Sequence, residues 1–540
     1  MTELLRAEFG LLLPELFVSA TILCVLLSEL LFGGDDEYEE LRVSDFVALI
    51  GLLVALAVTL LGFRASLDQA QQVRLIFSAT LAVDPFSQFV KILLLLSTLF
   101  GVLFSYQTPE VTTPRRAEYI AYLLGLLVGG MFLASSNDIL MLYLSFETVG
   151  VCSYILAGHA KGNPRSSEAG FKYVLYGAAA SGVLLFGLTY LYGMAGTTTL
   201  VADNATTPGI FDYLGRIAAR DLFGTGGAVH DMVRQVSINL VPIPMIMVLG
   251  GLLYKVAVFP FHFWAPDVYE GSPTPVTAIF SVLVKIAGFA IFLRFAYGYC
   301  FGVVRGVHDV TDGVGAVGFS GLTNMLALLA AATMTVGNLS ACVQNNVKRM
   351  LAYSGIANAG YLLMGACVLT AWNDSAYDID GMFAVLFFLT VYLFSNLGAF
   401  VVVIAVADHL GKEDIADYAG LGRVVPILGI SMVVFVFSLI GSPPFAGFIG
   451  KFYLFYAVVK RGLYWLAIVG VLNSVVSVFY YFRILKAMFL TEPPKGLVFD
   501  ISTHYKAVLW MLMIPVVVLG VYFEPLSNVA RAAASVFLRP

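Results

Sequence analysis

Glu147, Lys255, Lys285 and Lys451 each stand inside a run of apolar residues long enough to cross a bilayer. A charge near the middle of a membrane span costs about 2.5–3.5 kcal/mol on insertion scales, and such residues mark ion or proton paths. Burial disfavours the charged form of a carboxylate or an ammonium, and a nearby opposite charge favours it. A Glu–Lys pair in a poorly hydrated site therefore changes protonation state when one partner moves, which is what a gated proton carrier requires. The opposing reading is a static ion pair that holds helices together. The distance from Glu147 to Lys255 separates the two readings, and a sequence does not contain it.

Lys285, in Phe280-Ser281-Val282-Leu283-Val284-Lys285-Ile286-Ala287, is too central to snorkel to a membrane surface. Lys451 follows a proline break, in Phe448-Ile449-Gly450-Lys451-Phe452. Lys172 lies nearer a span end, where snorkelling explains it as well as proton transfer does. Lys91 begins a span and reads as an interfacial anchor, as do Lys348-Arg349 and Lys460-Arg461. Tyr176, Tyr392, Asn358 and Asn396 are able either to order waters or to bind helices together. His262 fits a proton relay at a mouth or a structural cap.

These residues must be held by many helices. The chain has 540 residues, 59% hydrophobic and 12% charged, with a mean hydropathy of +0.89. That composition defines an all-α polytopic membrane protein of about fourteen spans. They are expected near 11–32, 44–63, 86–106, 117–135, 138–159, 170–193, 240–262, 274–300, 319–340, 349–370, 380–407, 426–459, 463–489 and 507–524. The first lacks a basic leader and a small-residue cleavage site, so it is expected to be retained. The stretch 194–239 does not span, and Ile210 to Leu222 fits an interfacial helix or a loop equally. A slight excess of Lys/Arg in the inner loops puts the N-terminus outside.

Two spans carry breaks, the seventh at Pro242, Pro244 and Pro260 and the twelfth at Pro443-Pro444. Proline removes an N–H and clashes with the preceding turn. Discontinuous helices at membrane depth line sites in many transporters. An internal repeat points the same way. Gly251, Lys255 and Phe259 recur as Gly447, Lys451 and Phe455, and Leu144, Tyr154, Leu156 and Gly158 recur as Leu351, Tyr361, Leu363 and Gly365. Ser354 then takes the place of Glu147. Two units of five spans, 4–8 and 9–13, must enter the membrane in opposite directions, as inverted transporter repeats do. The expected divisions are 1–110, 111–300, 301–490 and 491–540.

Other chemistries find little support. The five cysteines are scattered singly and the six histidines dispersed, so no metal, iron–sulfur or haem site is expected in this chain. It contains no P-loop, dinucleotide-binding fingerprint or nucleophile elbow. The net charge is −5, and without a basic block nucleic acid is not an expected partner. The acidic run Asp35 to Glu40 reads as a solvated loop.

Four segments resemble one family: Asp267-Val268-Tyr269-Glu270-Gly271-Ser272-Pro273-Thr274-Pro275-Val276, Val347-Lys348-Arg349-Met350-Leu351-Ala352-Tyr353-Ser354, Pro443-Pro444-Phe445-Ala446-Gly447-Phe448-Ile449-Gly450-Lys451-Phe452 and Leu472-Asn473-Ser474-Val475-Val476-Ser477. They are similar to the antiporter-like membrane subunits of respiratory complex I (NADH–quinone oxidoreductase), over about residues 80 to 490. The first segment favours the subunit N group over its sisters L and M, as does an end soon after the last span. The resemblance implies fourteen spans, inverted repeats, an outside N-terminus and a proton path at the midplane through Glu147, Lys255, Lys285 and Lys451, with Lys172 secondary. It also implies a multi-pass place in a bacterial inner membrane, lipid contact, and neighbours of the M, K, J and A types. NADH, FMN, iron–sulfur clusters and quinone would be held by partner subunits, and no cofactor by this one. Rival readings are a subunit of a multisubunit cation/proton antiporter, a ferredoxin- or deazaflavin-driven relative, an inert scaffold and, least, a quinone-binding protein.

Overall fold

The structure, a computed structural model, describes residues 8–32, 43–68, 73–112, 116–201, 209–214, 241–311, 320–368, 379–494 and 499–538. Helices dominate it. In chain order they are α1 (Leu13–Phe32), α2 (Val43–Asp68), α3 (Pro85–Ser105), α4 (Arg116–Ser135), α5 (Ile139–Ala157), α6 (Pro164–Ala195), α7 (Pro242–Lys255) and α8 (Trp264–Gly271). Next comes α9, which runs Thr274–Ile279, widens into a π-helical turn at Phe280–Val284 and resumes as Lys285–Thr311. The rest are α10 (Ser320–Cys342), α11 (Val347–Cys367), α12 (Asp380–Leu410), α13 (Pro426–Ile440), α14 (Ala446–Lys460), α15 (Tyr464–Leu490), α16 (Thr503–Val521) and α17 (Glu524–Ala534). A small antiparallel hairpin, β1 (Arg74–Ile76) with β2 (Leu81–Val83), leads into α3.

Short polar side chains set the helix starts by accepting the first free N–H groups. Asp84 and Ser87 form a capping box on α3. Asp138 accepts from the Leu140 and Met141 amides at the start of α5. Asn346 accepts from the Arg349 amide, so α11 begins at Val347 and takes Lys348 and Arg349 into its first turn.

Eleven of the described helices are long and apolar enough to cross a membrane, or twelve if the pair Ile415–Val424 and Pro426–Ile440, bent by 118°, is one span. Fourteen single spans were expected. The difference lies in the two broken spans and in α11, whose apolarity is diluted by Ser354, Asn358 and three glycines. Of the expected 240–262 span, α7 is the helical part and α8 begins beyond it at Trp264, while the expected 426–459 span is divided into α13 and α14. Most of Ile210 to Leu222 lies outside the described residues. Its first part is buried, with Phe211 against the Phe295 ring at 5.2 Å.

With so little amphipathic pattern, burial sorts the helices by place. The apolar window of α9 is 100% buried and that of α12 is 94% buried, against 28% for α2 and 33% for α6 and α16. A helix that is apolar on every side is stable either inside a bundle or against lipid. Here α9 and α12 form the inner pair, while α1, α2, α6 and α16 turn large apolar side chains outward. Glycines bring α10 and α11 close: a Cβ on Gly337 would lie 2.6 Å from the Ala357 nitrogen and one on Gly360 2.7 Å from the Met334 nitrogen. Such small-residue contacts are how membrane helices approach without a hydrophobic drive.

Candidate functional site

Lys255 is the last residue of α7 and is 1% exposed. The chain leaves the helix there because Ala257 adopts a left-handed φ of +59°. The Trp264 indole then donates to the Tyr254 carbonyl at 3.0 Å, satisfying one acceptor of the helix end. The Lys255 ammonium sits 4.1 Å above the Phe146 ring and donates to the Phe146 carbonyl at 3.2 Å. Glu147 is the next residue of α5. Its Oε1 is buried without a hydrogen-bond partner, and its carboxylate forms no ion pair with the described residues. The structure thus brings Glu147 and Lys255 to one place without pairing them.

The stem of Lys255 packs on α9, where a Cβ on Gly288 would lie 3.5 Å from its Cβ and Cγ. One turn earlier on α9 is Lys285, 3% exposed, immediately after the π-helical turn. Such a turn shifts the register of a helix face and frequently marks a functional site. The Lys285 ammonium donates to the Tyr392 hydroxyl of α12 at 3.4 Å. One turn away on both helices, the Asn396 amide donates to the Ser281 hydroxyl at 2.6 Å. Asn396 therefore joins helices, as one of the two sequence readings held, while Tyr392 faces a charge.

From Tyr392 the line continues to Lys451. The Tyr392 ring lies 6.3 Å from that of Phe388, and a Cβ on Gly450 would lie 2.8 Å from the Phe388 ring. Lys451 follows Gly450 and is 4% exposed. Its ammonium donates to the carbonyl of Ile440, the last residue of α13, at 2.9 Å and lies 4.3 Å from the centroid of the Tyr361 ring. Helix C-termini carry unsatisfied carbonyls and partial negative charge, so the break between α13 and α14 supplies the acceptor for this lysine. Tyr361 is fixed in turn by Ser474 at 2.9 Å and the Gly470 carbonyl at 3.1 Å. Side-chain contacts thus join Phe146 to Lys255, Lys285 to Tyr392 and Phe388, and Lys451 to Tyr361, and the backbone at Gly288 and Gly450 brings the three groups side by side.

Lys172 stands apart from this line. It pairs with Glu168 at 2.8 Å and Asp267 at 3.0 Å. Arg349 pairs with Asp267 at 2.7 Å and Glu270 at 2.8 Å. Burial alone would raise the Asp267 carboxyl, but hydrogen bonds from Lys172 and Arg349 outweigh it and hold the group below the ordinary carboxylate range. Lys348 is buried, paired with Glu413 at 2.7 Å and bonded to the Ser272 carbonyl at 2.9 Å.

Several ionic partners escaped the sequence reading. Lys91 is no surface anchor: it is fully buried and paired with Glu15 at 2.6 Å, joining α3 to α1. Arg116 pairs with Asp45 at 2.6 Å, and Arg294 grips Asp84 at 2.9 and 3.0 Å. The lone acids near the starts of spans were a visible signal; their partners were not. His262 is buried, with Nδ1 unpartnered, so it makes no capping bond through that atom.

A helical membrane bundle with lysines strung through its interior defines a polytopic protein of the ion-transporting class. The family described as NADH:quinone oxidoreductase/Mrp antiporter, TM matches residues 136–302 and 313–477. This chain belongs to that family. It is similar to NADH-quinone oxidoreductase subunit N 2 of Chloroherpeton thalassium, with 37% identity over 98% of this chain and 96% of that protein. It is similar to a chain of respiratory complex I from Thermus thermophilus, with a TM-score of 0.70, 26% identity and coverage of 95% and 98%. A chain of the Mrp complex from Dietzia sp. shares the fold alone, with a TM-score of 0.74, 20% identity and coverage of 98% and 97%.

Proposed function

We propose that this chain is an antiporter-like membrane-arm subunit of an NADH–quinone oxidoreductase and carries protons across the membrane while other subunits reduce quinone. The observation that carries the reading is the alignment of three buried lysine sites, Lys255, Lys285 and Lys451, on elements that pack side by side. Reduction elsewhere alters the charge at Glu147. The carboxylate swings toward Lys255 and draws the ammonium from the Phe146 carbonyl. Lys255 then takes up or yields a proton, Lys285 answers, and Lys451 moves to or from the Ile440 carbonyl. Lys172, in its own ion-pair cluster, has a secondary part.

In this reading α7 with the broken stretch that follows it as far as His262, and α13 with α14, each make one crossing. That gives fourteen crossings, in two inverted units of five, with the N-terminus outside a bacterial inner membrane. Neighbours are other membrane-arm subunits, of the M, K, J and A types. NADH, FMN, iron–sulfur clusters and quinone belong to partners, and this chain holds no cofactor.

The family description also favours a second reading, a subunit of a multisubunit cation/proton antiporter. Co-purification with NADH-oxidising or iron–sulfur subunits separates the two. The direct test is proton pumping per NADH oxidised in sealed vesicles, wild type against Lys285→Ala, in complexes shown to be assembled. Strong loss of pumping with a parallel fall in coupled oxidation is expected. Unchanged pumping and turnover would remove Lys285 from the route.

A further inference from the structure

The glycines of α10 and α11 do different work. Gly337 and Gly360 mark the α10–α11 contact, where the space of a Cβ is filled by main-chain atoms of the opposite helix at 2.6 and 2.7 Å. At Gly355 that space is filled by the Lys285 ammonium, 2.5 Å from an ideal Cβ, with the Tyr392 hydroxyl 3.3 Å away. Gly355 lies inside α11 and is not among the glycines with positive φ, so its backbone does not require glycine. Glycine in a helix interior is less favourable than alanine by about 1 kcal/mol. Ala352, Ala357 and Ala359 occupy neighbouring positions of the same helix, where a methyl group fits. What glycine provides at 355 is room, and the occupant is the charged end of a side chain from α9.

We infer that Gly355 is a positioning residue for proton transfer at Lys285: its missing side chain is the slot in which the ammonium rests against Tyr392. The inference rests on Lys285 belonging to the proton route. The closest atom a methyl group at 355 meets is the tip of a flexible side chain, with the Tyr392 hydroxyl next, and no main-chain atom is among the nearest three, so α11 keeps its contacts while the ammonium is pushed out. The Tyr392 hydroxyl, 3.3 Å from the same Cβ position, bars it from moving that way. The displaced lysine loses its hydroxyl partner and its alignment with the step toward Lys451.

The test compares four complexes, purified whole and reconstituted in sealed vesicles: wild type, Gly355→Ala, Lys285→Ala and the double variant. Gly182→Ala, where a Cβ meets nothing within 4 Å, controls for a glycine-to-alanine change. Gly355→Ala is expected to assemble and to pump about tenfold less per assembled complex, since a misplacement of about 1 Å can cost up to about 10²-fold. The double variant is expected to match Lys285→Ala alone, because Gly355 acts through that lysine. If Lys285→Ala is impaired while Gly355→Ala pumps like wild type, the slot is overturned and the Lys285 reading stands. If Lys285→Ala itself pumps like wild type, the reading beneath the slot fails. A double variant clearly worse than Lys285→Ala makes Gly355 a packing residue and overturns the inference. Should Gly355→Ala fail to assemble, removing the lysine restores assembly if the collision is with Lys285; a double variant that also fails overturns the slot.

Discussion

The Lys255 ammonium bonds the main-chain oxygen of Phe146, at 3.2 Å, and not the carboxylate of Glu147 that follows it. Removing one partner of a buried ion pair strands the other charge and costs about 3–5 kcal/mol. Glu147 has no such partner here. Glu147→Gln is therefore expected to leave the amount of assembled complex within about twofold of wild type while proton pumping falls sharply. Native-gel quantification beside pumping in the same vesicles checks this. Loss of the complex with normal pumping in the remainder would favour the scaffold reading.

Lys451 poses the opposite case, because its ammonium satisfies the carbonyl that ends α13. Lys451→Met keeps the volume but leaves the Ile440 carbonyl short of a donor, a loss of about 1–3 kcal/mol for a buried group. Both thermal stability and pumping are expected to fall, whereas Lys451→Arg, which retains donors, should recover more stability than pumping. Thermal unfolding of the purified complex reads the first effect and vesicle pumping the second. Equal stability of Lys451→Met and wild type would rule out a capping role.

The Arg294–Asp84 pair ties α9 to the N-cap of α3, more than two turns along α9 from Lys285. Arg294→Ala strands a buried carboxylate that also caps a helix, so most of the complex should be lost. Whatever assembles should pump at a normal ratio per NADH. The double change Arg294→Met, Asp84→Ser, which removes both charges and keeps a capping oxygen, should restore much of the yield. Normal yield in Arg294→Ala alone would show that the pair contributes little.

What the sequence made legible follows from physics that acts locally. A lysine in an apolar run needs no neighbour to be conspicuous, so Lys255, Lys285 and Lys451 could be named at once. Prolines foretold both breaks. The stop at Lys255 was harder to see, because it depends on the backbone of Ala257 and on an indole from the next segment. Pairing across helices was not legible: nothing near Lys91 names Glu15, and that partner turns a surface anchor into a core ion pair. Gly355 could not be told from Gly360 because the difference lies in what fills the space beside each. The π-helical turn before Lys285 has no composition of its own.

Lys172 has only a secondary part in the proposed proton route, and its place in a half-exposed cluster predicts a small effect. Its side chain is 36% exposed and that of Asp267 34% exposed, and exposed pairs contribute about 0.2–1 kcal/mol each. Lys172→Ala leaves Asp267 with Arg349, so no carboxylate is stranded. Pumping should stay within about twofold of wild type. Because Asp267 is held below the ordinary carboxylate range, its contribution to stability is fully present above its unfolded pKa of about 4. That contribution is lost only as pH falls through the lower folded value. Between pH 6 and 8 the cluster does not titrate through Asp267, so Asp267→Asn should leave the shape of the pumping–pH profile unchanged in that range. A profile displaced by half a pH unit or more would give this cluster more than a secondary part in the proton route.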